Sequence, residues 1–411
     1  MTDRRDLTRD AVITGIGVAA PNGIGAEQYW AATLKGISAV RPTGRFDASG
    51  YPVRLSAEVP ASGAEVAVPK RMHPQTDRLT RLALLASDEA LADAGIIPAE
   101  LPGEAMGTAV TGVTGGLEFG QRQLQLQWGT GWESVSPYMS FAWYYAVHTG
   151  QISIRHGMRG PGGVVVSEQA GGVDSLSYAR RRVRSGTPVM TAGGFDSMLC
   201  PYGVSVLSAA DGVCRDDDPA RAGLPFCGAS TGYVPGEGGA VLIVESRAGA
   251  LERGAPHRYG VIAGHGSAFD PDPAGSGRGL LRAARTALRD AGLGPDDIGV
   301  VFADAVGSGP LDRAEAAVLA ELFGARRVPV SAPKALVGRL LSGGSALDVV
   351  AALLALRDGL IPAVPGLGPE DVDPRVNLVV GSEPRAERVD SALVLTRGHG
   401  GFASALVLTR P

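Results

Sequence analysis

Residues 164–184 read Val164-Val165-Val166-Ser167-Glu168-Gln169-Ala170-Gly171-Gly172 followed by VDSLSYARRRVR, and the rest of the chain is read outward from them. Three valines in a row suit a strand buried on both faces. Val173, Leu176, Ala179 and Val183 then recur at three- and four-residue spacing, with arginines on the other faces, which predicts a helix. A buried strand that turns through small residues into a helix is the setting of a nucleophile elbow. The free N–H groups at such a helix start can hold an oxyanion. The tip should carry Ser or Cys, and it carries Gln169. An amide forms no acyl ester or thioester, so the stretch has the shape of a nucleophile site without the nucleophile. The plainer alternative is an ordinary strand–turn–helix with a polar turn residue.

The 411 residues suffice for two domain-sized units or one large duplicated fold. Hydrophobic residues at 45% and charged residues at 19% fit a globular protein with a large core. A net charge of −4 argues against nucleic acid as a partner, and Arg180-Arg181-Arg182 reads as a solvated or partner-facing helix edge. Cys200, Cys214 and Cys227 form no CxxC pair and read as reduced thiols of a cytoplasmic protein. The six histidines make no HxxxH or HExxH pair, so no metal is expected. MTDRRDLTRD at the start lacks the apolar core of a signal peptide, and no run reaches membrane-spanning length. Gly15, Gly17 and Ala20 satisfy GxGxxA, but Pro21-Asn22-Gly23 breaks the helix that would receive a pyrophosphate, and no cofactor is expected.

Strand and helix patterns alternate along both halves of the chain. Strands are predicted over 11–20, 109–113, 188–193, within 233–245, and over 257–265, 299–305 and 328–331; helices over 78–94, 117–128, 280–291, 312–323 and 347–357. Ser391-Ala-Leu-Val-Leu-Thr-Arg397 recurs as Ser404-Ala-Leu-Val-Leu-Thr-Arg410, which predicts a terminal hairpin. Each half closes in a strand, so two similar α/β halves are expected, with helices covering the sheets. Within the first half, residues 119–145 hold eight of the 22 aromatic residues, broken by Gly129, Gly131 and Pro137. That pattern suits an excursion over a partner surface better than one smooth core helix.

Five stretches together resemble the β-ketoacyl synthase family: TGIGVAAPNGIG at 14–25, the elbow at 164–184, GYVPGEGGAVLIVE at 232–245, PKALVGRLLSGGSALD at 333–348 and GHGGFASALVL at 398–408. The resemblance implies the thiolase fold, with duplicated βαβαβαββ halves packed as a five-layer αβαβα body. Its halves would be residues 1–248, carrying an excursion over 114–150, and 249–411. The family's chemistry uses a cysteine at the elbow and two histidines that support decarboxylation and stabilise the enolate and oxyanion. All three positions depart. Gln169 stands for the cysteine, Ala305 for the histidine of an NAHGTxTP-like motif, and Arg339 for the histidine of KxxxGH, where Lys334 and Gly338 are retained.

Glutamine in the context EQAGG resembles the chain-length factors, the ketosynthase β subunits of type II aromatic polyketide synthases. The resemblance implies a heterodimer with a catalytic ketosynthase α subunit, working with an acyl carrier protein. The β subunit would shape the tunnel in which a poly-β-ketone grows from malonyl units. GLEFGQRQLQLQW at 116–128 resembles the family's gate helix and places gating side chains at Leu117, Gly120 and Leu124, which spacing also puts on one face. Gly120 leaves room there, which implies a longer product. Phe119, Trp128, Tyr138, Phe141, Trp143 and Tyr144 are the expected partner interface, and Arg339 is expected to pair with Glu168. Two alternatives remain at this level. One is a malonyl-carrier-protein decarboxylase that supplies acetyl primer, with Gln169 donating to the thioester carbonyl. The other is a structural chaperone that only keeps the α subunit soluble.

Overall fold

A computed structural model describes residues 10–62, 68–272 and 276–411. The stretch read as lacking a signal peptide lies, but for its last residue, outside the described residues. The elements that position the site are, in order, β1 (Ala11–Ala20), α1 (Arg78–Asp93), β2 (Met106–Thr111), α2 (Leu117–Gly129), α3 (Val147–His156), α4 (Gly171–Arg184), β3 (Val189–Ser197), α5 (Pro201–Ser208) and β4 (Glu237–Ser246). They continue with β5 (Gly260–Phe269), α6 (Arg278–Ala291), β6 (Val300–Phe302), α7 (Gly309–Phe323), β7 (Pro329–Ser331), α8 (Ser342–Asp358), β8 (Asn377–Leu378), β9 (Ser391–Gly398) and β10 (Phe402–Thr409).

The strands run in the order β8-β7-β6-β9-β10-β5-β1-β4-β3-β2. In the first half β2 and β3 are parallel, while β4 and β1 follow antiparallel. In the second, β7, β6 and β9 are parallel and β10 and β5 follow antiparallel. The pattern is the same in both, and a short ladder, Val12 to Val261 and Ile13 to Gly260, joins the halves. The terminal repeat is the β9–β10 hairpin, with Ser391 opposite Thr409.

Glycine pairs repeat the duplication at the level of packing. A Cβ on Gly15 or Gly17 would lie 2.2 or 1.9 Å from the Ala90 or Ala86 carbonyl of α1. On Gly264 or Gly266 of β5 it would lie 2.1 or 2.2 Å from the Ala287 or Ala283 carbonyl of α6. Each half therefore presses its outer helix onto its first strand through two bare backbones. The GxGxxA match is accounted for by this contact: it lies within β1 and forms no phosphate-binding turn.

Three cores separate five layers. Leu79, Leu82 and Ala86 of α1 meet Val241 and Ile243 on one face of the first sheet. Val173 and Leu176 of α4 and Leu347 to Leu356 of α8 fill the middle, against both sheets. Leu280 and Ala284 of α6 and Leu319 of α7 cover Leu393 and Val407 on the far face. α8 is buried from Ser342 to Leu356, because a helix between two sheets has no solvent face and is apolar all round.

Three expectations change. Val164–Val166 do not form a strand, and Val166 is 43% exposed. Their segment meets β2 at a single parallel bridge, Gly162 to Thr108, on the outer edge of the sheet. No strand of the chain lies beyond it among the described residues, whereas its counterpart β7 is flanked by β8. β2 begins at Met106 and ends at Thr111, ahead of the expected 109–113. Arg180 is not at a solvated edge. It is buried, with Nη1 2.5 Å from Asp290 and Nη2 donating to the Ala263 carbonyl, while Arg181 and Arg182 are exposed beside Tyr178.

Candidate functional site

The elbow forms without its strand. Glu168, one residue before Gln169, takes the left-handed backbone (φ +50°), and the chain passes through a single 3-10 turn into α4. A non-glycine residue there is strained and has to be held by its surroundings. The Glu168 carboxylate accepts from its neighbour Gln169 N–H at 2.7 Å, from His399 N–H at 2.9 Å and from Arg339 Nη2 at 2.9 Å. Gly171 and Gly172 let the start of α4 meet the start of α8, where a Cβ on Gly172 would lie 2.5 Å from the Ser342 carbonyl.

The three departing positions and the retained lysine come together around Asp304, which sequence reasoning passed over. Gln169 is fully buried and its Nε2 donates to Asp304 Oδ1 at 3.1 Å, while its Oε1 has no partner among the described residues. Ala305 follows in the left-handed region (φ +43°), and its N–H and that of Asp304 donate to Glu315. Arg397 Nε donates to Asp304 at 3.1 Å and its Nη2 to Glu315 at 3.0 Å. Lys334 Nζ donates to the Ala303 carbonyl at 2.9 Å and lies 2.7 Å from Asp348. Arg339 pairs with Glu168, donates to the Arg397 carbonyl and lies over the Tyr233 ring at 5.5 Å.

Burial alone would raise the Asp304 pKa, but Lys334, Arg397 and Arg339 outweigh it and hold the carboxyl below its usual value. Burial wins at Asp348, pushed up to about 6 despite Lys334. Burial also works against the Arg339 cation, and Glu168 and Asp304 reverse it, so its pKa is raised. Every charge near Gln169 is answered by another charge or a backbone group, so the cluster is one connected network, in which Gln169 Oε1 and Arg339 Nη1 have no hydrogen-bond partner among the described residues. It contains no nucleophile and no group that could carry a proton at neutral pH from the replaced positions: Gln169 offers an amide, Ala305 a methyl group and Arg339 a fixed cation.

A cleft of about 370 Å³ opens beside this network, with the Gly398–Phe402 turn at its rim and Glu168, Asp304, Arg339 and Arg397 in its wall. A void of about 20 Å³ adjoins Ala305, Lys334 and Arg339. None of the cysteines lines the cleft. Cys200 is buried, caps α5 and has its thiol pKa pushed up by burial.

α2 is anchored at its start. Asp77 accepts from Leu79 N–H and Phe119 N–H, both at 2.8 Å, so one carboxylate caps α1 and α2 together. Arg45 joins Glu118 to Glu237. Leu117 reaches toward Gly203 on α5, Gly120 has only the Trp143 Cβ in reach of a Cβ at 3.5 Å, and Leu124 is exposed. Among the expected interface residues, Trp128 is 82% exposed, Tyr138, Trp143 and Tyr144 are exposed, and Phe141 is half-buried. Phe119 is a correction: it is buried inside this chain, because the Asp77 cap turns its position on α2 toward the core. Trp132 and Tyr145 belong to the same exposed aromatic surface.

Two duplicated sheets around a buried helix layer, with the amide of Gln169 at the tip of the elbow between them, define a ketosynthase-type subunit. Residues 8–250 match the beta-ketoacyl synthase N-terminal domain and 259–367 the C-terminal domain. The chain is 51% identical over 402 residues to the tetracenomycin polyketide synthase ketoacyl synthase beta subunit of Streptomyces glaucescens, covering 97% of this chain and 98% of that one. It is 50% identical over 401 residues to the actinorhodin polyketide putative beta-ketoacyl synthase 2 of Streptomyces coelicolor, covering 97% and 98%. The solved ishigamide ketosynthase/chain length factor superposes with a TM-score of 0.90 at 26% identity, over 98% of this chain and all of that one. The chain belongs to the β-ketoacyl synthase family, on its ketosynthase β-subunit, or chain-length factor, branch.

Proposed function

We propose that the chain is the non-catalytic, chain-length-determining subunit of a heterodimeric type II polyketide synthase. Its partner is a ketosynthase α subunit, and the pair extends a poly-β-ketone from malonyl units on an acyl carrier protein. The observation that carries this is the sealed elbow, where Gln169 is buried against Asp304 and both histidine positions are lost. A condensing subunit needs a thiolate that can reach an acyl group. The names of the relatives, ketoacyl synthase beta subunits of polyketide synthases and a ketosynthase/chain length factor, support the same reading.

The unpaired edge at Val164–Val166 and the aromatic excursion are the surfaces we assign to the α partner. An unpaired sheet edge and large exposed aromatics are liabilities in a lone chain and assets in a permanent complex. Three free, buried thiols fit the reducing compartment of a cytoplasmic complex. No helix among the described residues is long and apolar enough to cross a membrane. We place the division of the halves at 248/249, between the end of β4 and the start of β5. The decarboxylase alternative needs a Gln169 amide N–H to reach a thioester carbonyl, and that amide is fully buried with one of its two N–H groups given to Asp304.

Leu117, Gly120 and Leu124 are the gating positions in this reading. The test is product mass after co-expression with the α subunit and carrier protein, comparing the parent chain with Gly120→Phe. A Cβ at buried Gly120 meets only Trp143 at ordinary contact distance, so the backbone accepts a side chain there, and complex yield reports whether the larger ring is accommodated. A shorter polyketide at similar complex yield is expected. Unchanged length at full yield would remove Gly120 from the gate and favour the chaperone reading.

A further inference from the structure

α2 grips its own chain with little apolar surface. Of its 13 residues only Phe119, Gly120 and Gln123 are buried, and every position from Leu124 onward is exposed. α1, by contrast, buries Leu79, Leu82, Leu84 and Leu91. One buried ring fixes the rotation of a helix poorly, because hydrophobic contact is not directional. Directional bonds have to supply that constraint. Asp77 and Arg45 do so at the first turn, through Phe119 N–H and the Glu118 carboxylate. The next turn carries the alternating run Gln121-Arg-Gln-Leu-Gln-Leu-Gln127, and two of its glutamines reach backbone outside the helix. Gln121 Oε1 accepts from Tyr202 N–H at 2.7 Å, and Gln123 Oε1 accepts from Ser136 N–H at 2.8 Å. A backbone N–H can only donate, so the amide oxygen must face it in both cases.

Tyr202 is the second residue of α5, where backbone N–H groups have no partner within their own helix. Ser136 precedes the 3-10 turn Pro137–Ser140 of the aromatic excursion. Positions two apart on a helix point about 200° apart around its axis, so the glutamines brace α2 from opposite sides, one against α5 and one against the excursion. A rotation of about 20° would carry an atom about 6 Å from the axis through about 2 Å, more than either hydrogen bond tolerates. The same rotation would re-aim Leu117, Gly120 and Leu124 together. We propose that Gln121 and Gln123 are positioning residues that hold this face of α2 at one rotation, so that one product length is favoured over its neighbours. The role rests on α2 being the gate, and it names the side chains that set the gate's aim.

The test is the distribution of product masses from the chain co-expressed with its ketosynthase α partner and carrier protein. Gln121→Leu removes the acceptor at a half-buried position and keeps the side chain's bulk, while Gln121→Glu keeps an acceptor for Tyr202 N–H. Gln123→Leu removes the acceptor at the buried brace, and Gly120→Phe is measured beside them. Gln121→Leu should raise the share of products of other lengths about two- to ten-fold at similar complex yield, the range expected for loss of one neutral hydrogen bond. Gln121→Glu should return the parent distribution. A parent distribution from both leucine variants, a fall in yield with no change in lengths, or a glutamate variant that behaves as the leucine one would each overturn the proposal. If Gly120→Phe shortens the product while the glutamine variants leave it unchanged, the bracing fails and the gate stands. If no variant changes product length, both fail. If Gln123→Leu does not fold, Gln121→Leu decides.

Discussion

Replacing Arg339 by leucine tests whether the lost histidine position now holds the elbow together. The side chains of Arg339 and Glu168 are 9% and 16% exposed, so this is a buried pair rather than a surface one. Removing one partner of such a pair leaves a buried charge and costs about 3–5 kcal/mol. Glu168 keeps two backbone donors, Gln169 and His399 N–H, which places the expected cost toward the lower end. A chain of 411 residues unfolds with an entropy of about 0.9 kcal/mol per kelvin, from roughly 2.1 cal/mol/K per residue. Arg339→Leu should then lower the melting temperature by about 3–6 °C. Glu168→Gln with Arg339→Leu removes both charges, and should recover at least half of the loss. The assay is scanning calorimetry of the complex, with all variants paired to the same α subunit. A single variant within about 1 °C of the parent, or a double variant whose loss equals the sum of the two singles, would refute the argument.

Other outcomes follow from the same geometry. Phe119→Ala should cost about 3–5 kcal/mol as a core truncation and lower soluble yield, whereas Trp128→Ala should leave stability within about 0.5 kcal/mol and weaken capture of the α subunit in a pull-down. The reverse pattern would exchange core and interface. Burial pushes Asp312 up to about 7, against an unfolded value near 4, so the folded state holds the extra proton. Its contribution, on the order of 4 kcal/mol at most, is present below about pH 4 and lost as pH rises through about 7. Asp312→Asn should therefore flatten the fall in melting temperature between pH 5 and 8, and an unchanged slope would count against that carboxyl as its source.

The alternation of strands and helices in two similar halves was readable from periodicity, 3.6 on the outer helices and unbroken apolar runs in strands and in α8, which are buried on all sides; the five-layer stacking came only with the resemblance to the β-ketoacyl synthases. The exception, Val164–Val166, shows where such reading stops. A valine run reports burial on both faces but not who supplies the second neighbour, and this segment has no outer strand within its own chain among the described residues. Phe119 and Trp128 look alike in sequence, and only the Asp77 cap, which fixes the rotation of α2, sends one inward. The departing residues were legible as substitutions against a motif. Asp304 and Arg397 were not, because they match no motif and act through an ion pair between the loop after β6 and strand β9, far apart in sequence. The pairing of Arg339 with Glu168 was legible only through the resemblance, which puts the two side by side in the family's fold, where a buried charge needs a partner.

The way the three substitutions are accommodated bears on whether condensation could be restored. Gln169 is bonded to Asp304, Asp304 to Arg397, Arg397 to Glu315, and Glu315 to the backbone of Ala305. Arg339 enters through Glu168 and touches the Arg397 carbonyl. Each replaced position is thus a member of one connected hydrogen-bond network, and such networks respond to substitution together rather than one residue at a time. A cysteine at 169 alone would face the Asp304 carboxylate, with no imidazole to take its proton and a like charge opposing a thiolate. A histidine at 305 alone would have to fit its ring beside a void of only about 20 Å³. The network therefore does more than lack the reactive groups: the charge at Asp304 and the small space beside Ala305 now suit the residues that replaced them, so the fold stays intact around the altered site.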